Sequence, residues 1–288
     1  MSIELQDITY TYSKGTPFER RALENISVSI AKGEIVAIIG HTGSGKSTLV
    51  QHLNALLKPE QGKIIIDTVD ATAKGKEAKA ARHKVGMVFQ YPEHQLFAET
   101  VEDDIAFGPR NKGFAPEEVD KQVKEAMRFV GLDYDTYAKR SPFQLSGGQM
   151  RRVAVAGVVA LNPDYLVLDE PSAGLDPRSR NRVFKEILEL HKERKIAIVI
   201  VTHSMDEAVA YADRMLVVNK AQLLYDGAPK EIFKKHSEEL RAIGLDMPQV
   251  YKLAEGLKEK GLALQGDIMD TKTLVQAICK AKGWKHAQ

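Results

Sequence analysis

The chain has 288 residues, 43% of them hydrophobic, enough for one large domain with an appendage. Its 41 basic and 39 acidic residues leave a formal net charge of +2, which gives no reason to invoke nucleic acid as an obligate partner. The single cysteine, Cys279, excludes an intrachain disulfide and reads as a buried or incidental thiol in a reducing cytosol.

The chain opens Met1-Ser2-Ile3-Glu4-Leu5, without a basic-then-apolar leader pattern. Residues 3–10 and 26–30 alternate apolar and polar, as half-buried strands do. Ile35–Ile39 is a continuous apolar run that ends at a glycine-rich loop, and a helix is expected from 47 to about 57. Gln61-Gly62 marks a turn before a strand at 64–67. Residues 70–82, rich in Ala and Lys, suit an exposed helix or loop, and 85–90 a buried strand. From about 98 to 160 the pattern is helical. Pro116 fits the first turn of a helix running to about 130, with Glu117 and Glu118 near its positive end and Gly131 closing it.

The apolar runs 165–168 and 196–201 suit central parallel strands, with a helix at 177–193 between them. Residues 215–219 and 222–225 suggest a final hairpin. Alternating strands and helices predict an α/β layered fold. Beyond about 229, amphipathic helical segments are expected at 231–242, 248–260 and 271–282, without a catalytic motif. The longest apolar runs, 153–161 and 196–201, fall far short of the ~20 residues a membrane-spanning helix needs, so any membrane role is expected to be peripheral.

Gly40-His41-Thr42-Gly43-Ser44-Gly45-Lys46-Ser47-Thr48 fits a phosphate-binding loop between a strand and a helix. Its glycines let backbone N–H groups turn toward phosphate oxygens, and the helix adds its positive end. Lys46 is expected to reach the β- and γ-phosphates of a nucleotide, and Ser47 to ligate Mg²⁺. Asp169 and Glu170 end the run 165–168, where a carboxylate lies near a nucleotide crevice. Asp169 is expected on the Mg²⁺ side and Glu170 as the general base for the attacking water. Acidic pairs at strand ends also start helices; downstream of a phosphate loop that reading is the lesser one.

Gln90 and His203 follow strands that end on the same crevice edge. Tyr12 is the first candidate to stack on adenine and Tyr10 its rival, either also fitting a half-buried strand aromatic. In Leu145-Ser146-Gly147-Gly148-Gln149, the Ser146 hydroxyl and the Gly147-Gly148 backbone can donate to a γ-phosphate ahead of an apolar helix. Taken alone, that string is also a loop and helix cap.

In this order the motifs resemble the ATP-binding-cassette (ABC) ATPases, from residue 3 to about 228. The resemblance implies a P-loop nucleotide-binding domain over 1–229, with a RecA-like core, an antiparallel β subdomain and a helical subdomain at about 98–160. It implies ATP and Mg²⁺ as ligands. It makes Gln90 the glutamine-loop residue that senses Mg²⁺ and the attacking water, His203 the switch histidine, and Ser172-Ala173-Gly174-Leu175-Asp176 the loop that communicates across a dimer. Ser146 through Gln149 would then serve a nucleotide held by a second ATPase, so one copy carries two half-sites. No catalytic position departs from the pattern.

Three stretches resemble the energy-coupling factor (ECF) importers more narrowly. Phe89-Gln90-Tyr91-Pro92-Glu93-His94-Gln95-Leu96-Phe97 and Asp104-Ile105-Ala106-Phe107-Gly108-Pro109 match their extended glutamine loop. Met150-Arg151-Arg152, with His41-Thr42-Gly43 and Thr16-Pro17-Phe18-Glu19, resembles the second, A-prime ATPase. The resemblance implies pairing with a related ATPase, in which the 230–288 extension takes part. It also implies docking of a membrane scaffold on 90 to about 107, separate substrate-binding membrane subunits for a vitamin or metal ion, and a place on the cytoplasmic face of the membrane. Leu96 and Phe97 read equally as core. The alternatives are the ATPase of another ABC importer, including a cobalt or nickel system with a homodimeric ATPase, or of an exporter. A soluble regulator is less in keeping with a single cassette that has no heptad run between Gln90 and Ser146.

Overall fold

The computed structural model describes residues 1–266, 268 and 270–284. Its strands are β1 (Ser2–Tyr12), β2 (Arg20–Ala31), β3 (Ile35–Ile39), β4 (Gln61–Ile66), β5 (Val69–Asp70), β6 (Val85–Val88), β7 (Tyr165–Asp169), β8 (Ala197–Val201), β9 (Arg214–Asn219) and β10 (Gln222–Gly227). Its first helices are α1 (Lys46–Leu53), α2 (Lys76–Arg82), α3 (Val101–Lys112), α4 (Pro116–Phe129), α5 (Tyr134–Tyr137) and α6 (Gly147–Val159). There follow α7 (Pro177–Arg194), α8 (Met205–Tyr211), α9 (Pro229–Lys235), α10 (Ser237–Ala242), α11 (Gln249–Glu259) and α12 (Thr271–Lys282).

A six-stranded sheet in the order β10-β9-β3-β8-β7-β6 forms the core, parallel except for the β9–β10 hairpin. A four-stranded antiparallel sheet, β2-β1-β4-β5, packs beside it. The central strands read as unbroken apolar runs because both faces are covered. On β7, Tyr165 and Val167 join the core shared with the antiparallel sheet and α1. Leu166 and Leu168 point the other way, into the core shared with α3, α4, α6 and α7. The α/β layering with a helical block and a helical tail agrees with expectation.

The differences are local and have local causes. β1 and β2 run longer than the alternation at 3–10 and 26–30, their pairing continuing through irregular register to Tyr12↔Arg20. α1 stops at Leu53, not near 57, because Ala55 turns left-handed (φ 54°). α2 is a true helix, with Ala78 and Ala81 buried. β6 ends at Val88, short of 90. The helix expected over 231–242 breaks at His236, whose ring stacks on Tyr225 at 4.0 Å.

The extension does not hang free. Ile232, Phe233, Leu240, Leu245 and Met247 share one buried cluster with Met205, Met215 and Val217. Ala254, Leu264, Ile268, Leu274 and Ala277 form a separate small core between α11 and α12. Part of the 230–288 extension, residues 267, 269 and 285–288, lies outside the described residues. Among the described residues no helix is long and apolar enough to cross a membrane.

Candidate nucleotide site

Parallel pairing brings the C-terminal ends of β3, β6, β7 and β8 to one edge, and the chemistry gathers there. Gly40–Thr48 leave β3, Gln90 follows β6, Asp169 and Glu170 end β7, and His203 follows β8. All of these except the buried Ser44 line one cleft of about 690 Å³. Its remaining walls include Tyr12, Arg20, Met205 and Gly244–Asp246.

The loop needs glycine where it passes β2. Gly45 sits at φ 117°, and a Cβ there would stand 2.5 Å from Ala22 O. Lys46 Nζ curls over the loop and donates to Gly40 O at 2.7 Å and His41 O at 3.0 Å. Burial pushes its pKa down, while Glu170 and Asp169 push it back up. The Asp169 carboxyl is raised, first by burial and then by Glu170, against the pull of Lys46. A nearby divalent cation would reverse that penalty.

Glu170 adopts a left-handed backbone (φ 50°) and donates its N–H to Val201 O at 2.9 Å. Its Oε2 lies 2.6 Å from His203 Nδ1. Tyr12 faces the cleft, its hydroxyl 3.3 Å from Thr48 Oγ1. Tyr10 instead packs on the core and against His52.

Ser47, Gln90 and Asp169 offer the cleft a hydroxyl, an amide and a carboxylate. Few, hard oxygen donors suit Mg²⁺, which completes its shell with phosphate oxygens and water. Among the described residues no group of three or more His, Cys, Asp or Glu could hold a metal unaided.

The signature segment lies elsewhere. Ser146 caps α6 in a reciprocal capping box with Gln149. Gln149 also donates to the Tyr137 hydroxyl at 3.1 Å. Gly147 and Gly148 have open space where a Cβ would be. None of Ser146, Gly147, Gly148 and Gln149 lines the cleft.

Sequence reasoning missed Arg20, whose Nη2 donates to Gly43 O at 2.9 Å. It also missed Gly244–Asp246, anchored where Gln249 N donates to Asp206 Oδ1 at 2.9 Å. An apolar Leu245 and Met247 just past a predicted helix were the available signal.

Fold and cleft together define a P-loop nucleotide-binding cassette. A family model described as ABC transporter matches residues 23–173. The energy-coupling factor transporter ATP-binding protein EcfA2 of Clostridium tetani is 49% identical, covering 97% of this chain and 97% of its own. Its counterpart from Bacillus licheniformis is 47% identical, covering 98% of this chain and 97% of its own. Among solved structures, cbiO1 from Clostridium perfringens, described as part of the ABC transporter complex cbiONQ, matches with TM-score 0.73 and 37% identity over 88% of this chain and 98% of that one. A dimeric ATP-binding cassette in a post-hydrolysis state, bound to ADP and Pi, matches with TM-score 0.69 and 29% identity over 79% of this chain and 98% of that one.

The chain belongs to the ABC transporter ATPases and, within them, to the energy-coupling factor transporter ATP-binding proteins of the EcfA2 group. It is an ATPase that works on ATP with Mg²⁺.

Proposed function

We propose that this chain pairs with a related but different ATPase and docks on a membrane scaffold from the cytoplasmic face. In this reading ATP binding closes the pair, hydrolysis reopens it, and separate membrane subunits select a vitamin or other micronutrient. One observation supports the pairing: the cleft brings Lys46, Gln90, Asp169, Glu170 and His203 together, yet the exposed Ser146 signature turn lies outside it.

Within the cleft, the Gly40–Thr48 backbone and Lys46 bind the phosphates, and Tyr12 supports the adenine. Ser47, Asp169 and Gln90 would hold Mg²⁺, whose charge would offset that of the phosphate oxygens. Glu170 takes the proton of the attacking water, and His203 orients Glu170 and meets the γ-phosphate. Ser146, Gly147, Gly148 and Gln149 complete the partner's site. The exposed pair Phe97 and Phe107, edge to face at 4.9 Å beyond Gln90, suits an apolar scaffold segment. Residues 1–229 carry the nucleotide-binding motifs, 230–248 complete the cleft wall and its supporting cluster, and the rest of the 230–288 extension contributes to pairing.

Affinity capture of the full chain from detergent-solubilised membrane tests this. A second ATPase chain and an integral membrane protein are expected in fixed proportion. Recovery of copies of this chain alone would overturn the heteromeric pairing.

A further inference from the structure

Arg151 is a cation that the fold buries, 7% exposed, on the second turn of α6. Its Nη1 donates to Ala173 O at 2.8 Å, and its Nη2 to Pro171 O at 2.7 Å and Glu170 O at 3.3 Å. Three carbonyls of one turn thus converge on one guanidinium. A planar fork can serve all three; a lysine ammonium, as a point charge, cannot match that geometry.

The turn it grips is strained. Glu170, at φ 50°, is a non-glycine residue in the left-handed region, which L side chains rarely adopt. Such a conformation persists where its surroundings over-determine it. β8 holds one side through Val201 O, and Arg151 holds the other.

A third element meets them. Glu93 stands on the Pro92–Gln95 turn just past Gln90, and that turn packs on α6. Its Oε2 is buried without a hydrogen-bond partner among the described residues. Burial pushes the Arg151 pKa down, and Glu93 opposes that most.

We propose that Arg151 is a positioning residue that clamps the Glu170 turn to the signature helix, with Glu93 as its counter-charge. The Ser146 end of α6 and the base Glu170 then move as one body, so engagement of the signature by the other nucleotide sets the base for this one. The proposal rests on Glu170 as the general base.

The test uses the full chain with its co-purified partners, reading ATP affinity, kcat, KM and melting temperature. Arg151→Met is expected to keep affinity and KM within about threefold and to lower kcat at least about tenfold. Arg151→Lys, which keeps the charge and most of the volume, is expected to be intermediate. Glu93→Gln is expected to lower kcat less, and to add nothing to Arg151→Met, because both act on one link. If Arg151→Met keeps kcat while Glu170→Gln loses it, the clamp is overturned and the base stands. If Glu170→Gln itself keeps turnover, the base assignment falls first and the clamp with it. If Arg151→Met melts early, Arg151→Lys decides: full kcat at normal melting temperature overturns the clamp.

Discussion

Glu170 and His203 meet across the ends of neighbouring strands, with His203 Nδ1 2.6 Å from Glu170 Oε2. Strand pairing sets the approach: Asp169 lies opposite Val201 in the parallel register of β7 and β8, and each residue of the pair follows within two positions. The two side chains differ in freedom. Glu170 is 14% exposed and His203 75%. The carboxylate is fixed, and the imidazole has room to turn toward a phosphate.

Glu170→Gln keeps the shape of the side chain and removes its proton acceptor. ATP affinity is expected to hold, turnover to fall by roughly 10²–10³, and a closed ATPase pair to accumulate with ATP. Nucleotide titration, Mg-ATP hydrolysis with partners present, and light scattering of the eluted pair measure the three. Near-normal turnover would remove Glu170 from the role of base.

His203→Ala removes the imidazole 2.6 Å from Glu170 Oε2, the group proposed to orient it. Its turnover is expected to fall at least about tenfold, with affinity nearly unchanged. Combined with Glu170→Gln it is expected to cost nothing further, because both residues act on one step. Additive losses in steady-state kinetics would mean that His203 acts apart from Glu170.

The parts of this site that the sequence disclosed are those set by local pattern. β3 and its loop stood out because an apolar run stops at glycines; β7 stood out because an apolar run stops at two carboxylates. The parts it concealed depend on distant contacts. Nothing near Glu170 announces its left-handed backbone, and the Arg151 that grips it lies 19 positions away. Arg20 went unread because the strand alternation fades before it, where irregular pairing breaks the period. Tyr10 and Tyr12 share a strand period, and only tertiary contacts separate them: Tyr10 packs on the core and His52, Tyr12 on Thr48 at the cleft.

A half-buried polar link ties the two sheets together outside the cleft. Asp67 accepts from Tyr165 Oη at 2.6 Å and from Lys84 Nζ at 2.7 Å. Burial pushes the Asp67 carboxyl up, but these two hydrogen bonds outweigh it and hold its pKa below the ordinary value. A carboxylate with a depressed folded-state pKa adds stability above its unfolded pKa and loses it as pH falls through the folded one. Asp67→Asn is therefore expected to cost about 1–3 kcal/mol at neutral pH with ATP affinity unchanged. The gap in melting temperature from the parent is expected to narrow below about pH 4. A gap that does not depend on pH would show packing, not charge, to be the link.

Two truncations separate the roles of the C-terminal extension. A chain ending at 229 loses Ile232, Phe233, Leu240, Leu245 and Met247, which form much of the cluster around Met205. It also loses the Gly244–Asp246 wall of the cleft. Phe233 is fully buried, and emptying such a site costs about 3–5 kcal/mol for one side chain alone. This chain is expected to melt early and to bind ATP poorly. A chain ending at 248 keeps that cluster and the wall, and loses α11, α12 and their own small core. It is expected to melt close to the full chain and to bind ATP within about threefold of it, since what it loses near the cleft is at the surface: the Lys252–Asp246 ion pair, the Gln249–Asp206 hydrogen bond and the half-buried Tyr251 at the edge of that cluster. Its pairing with the partner ATPase is expected to weaken. Differential scanning calorimetry, nucleotide titration and analytical ultracentrifugation read the three quantities apart. Normal pairing by the chain ending at 248 would move the pairing surface off α11 and α12, and normal ATP binding by the chain ending at 229 would free the cleft from the extension.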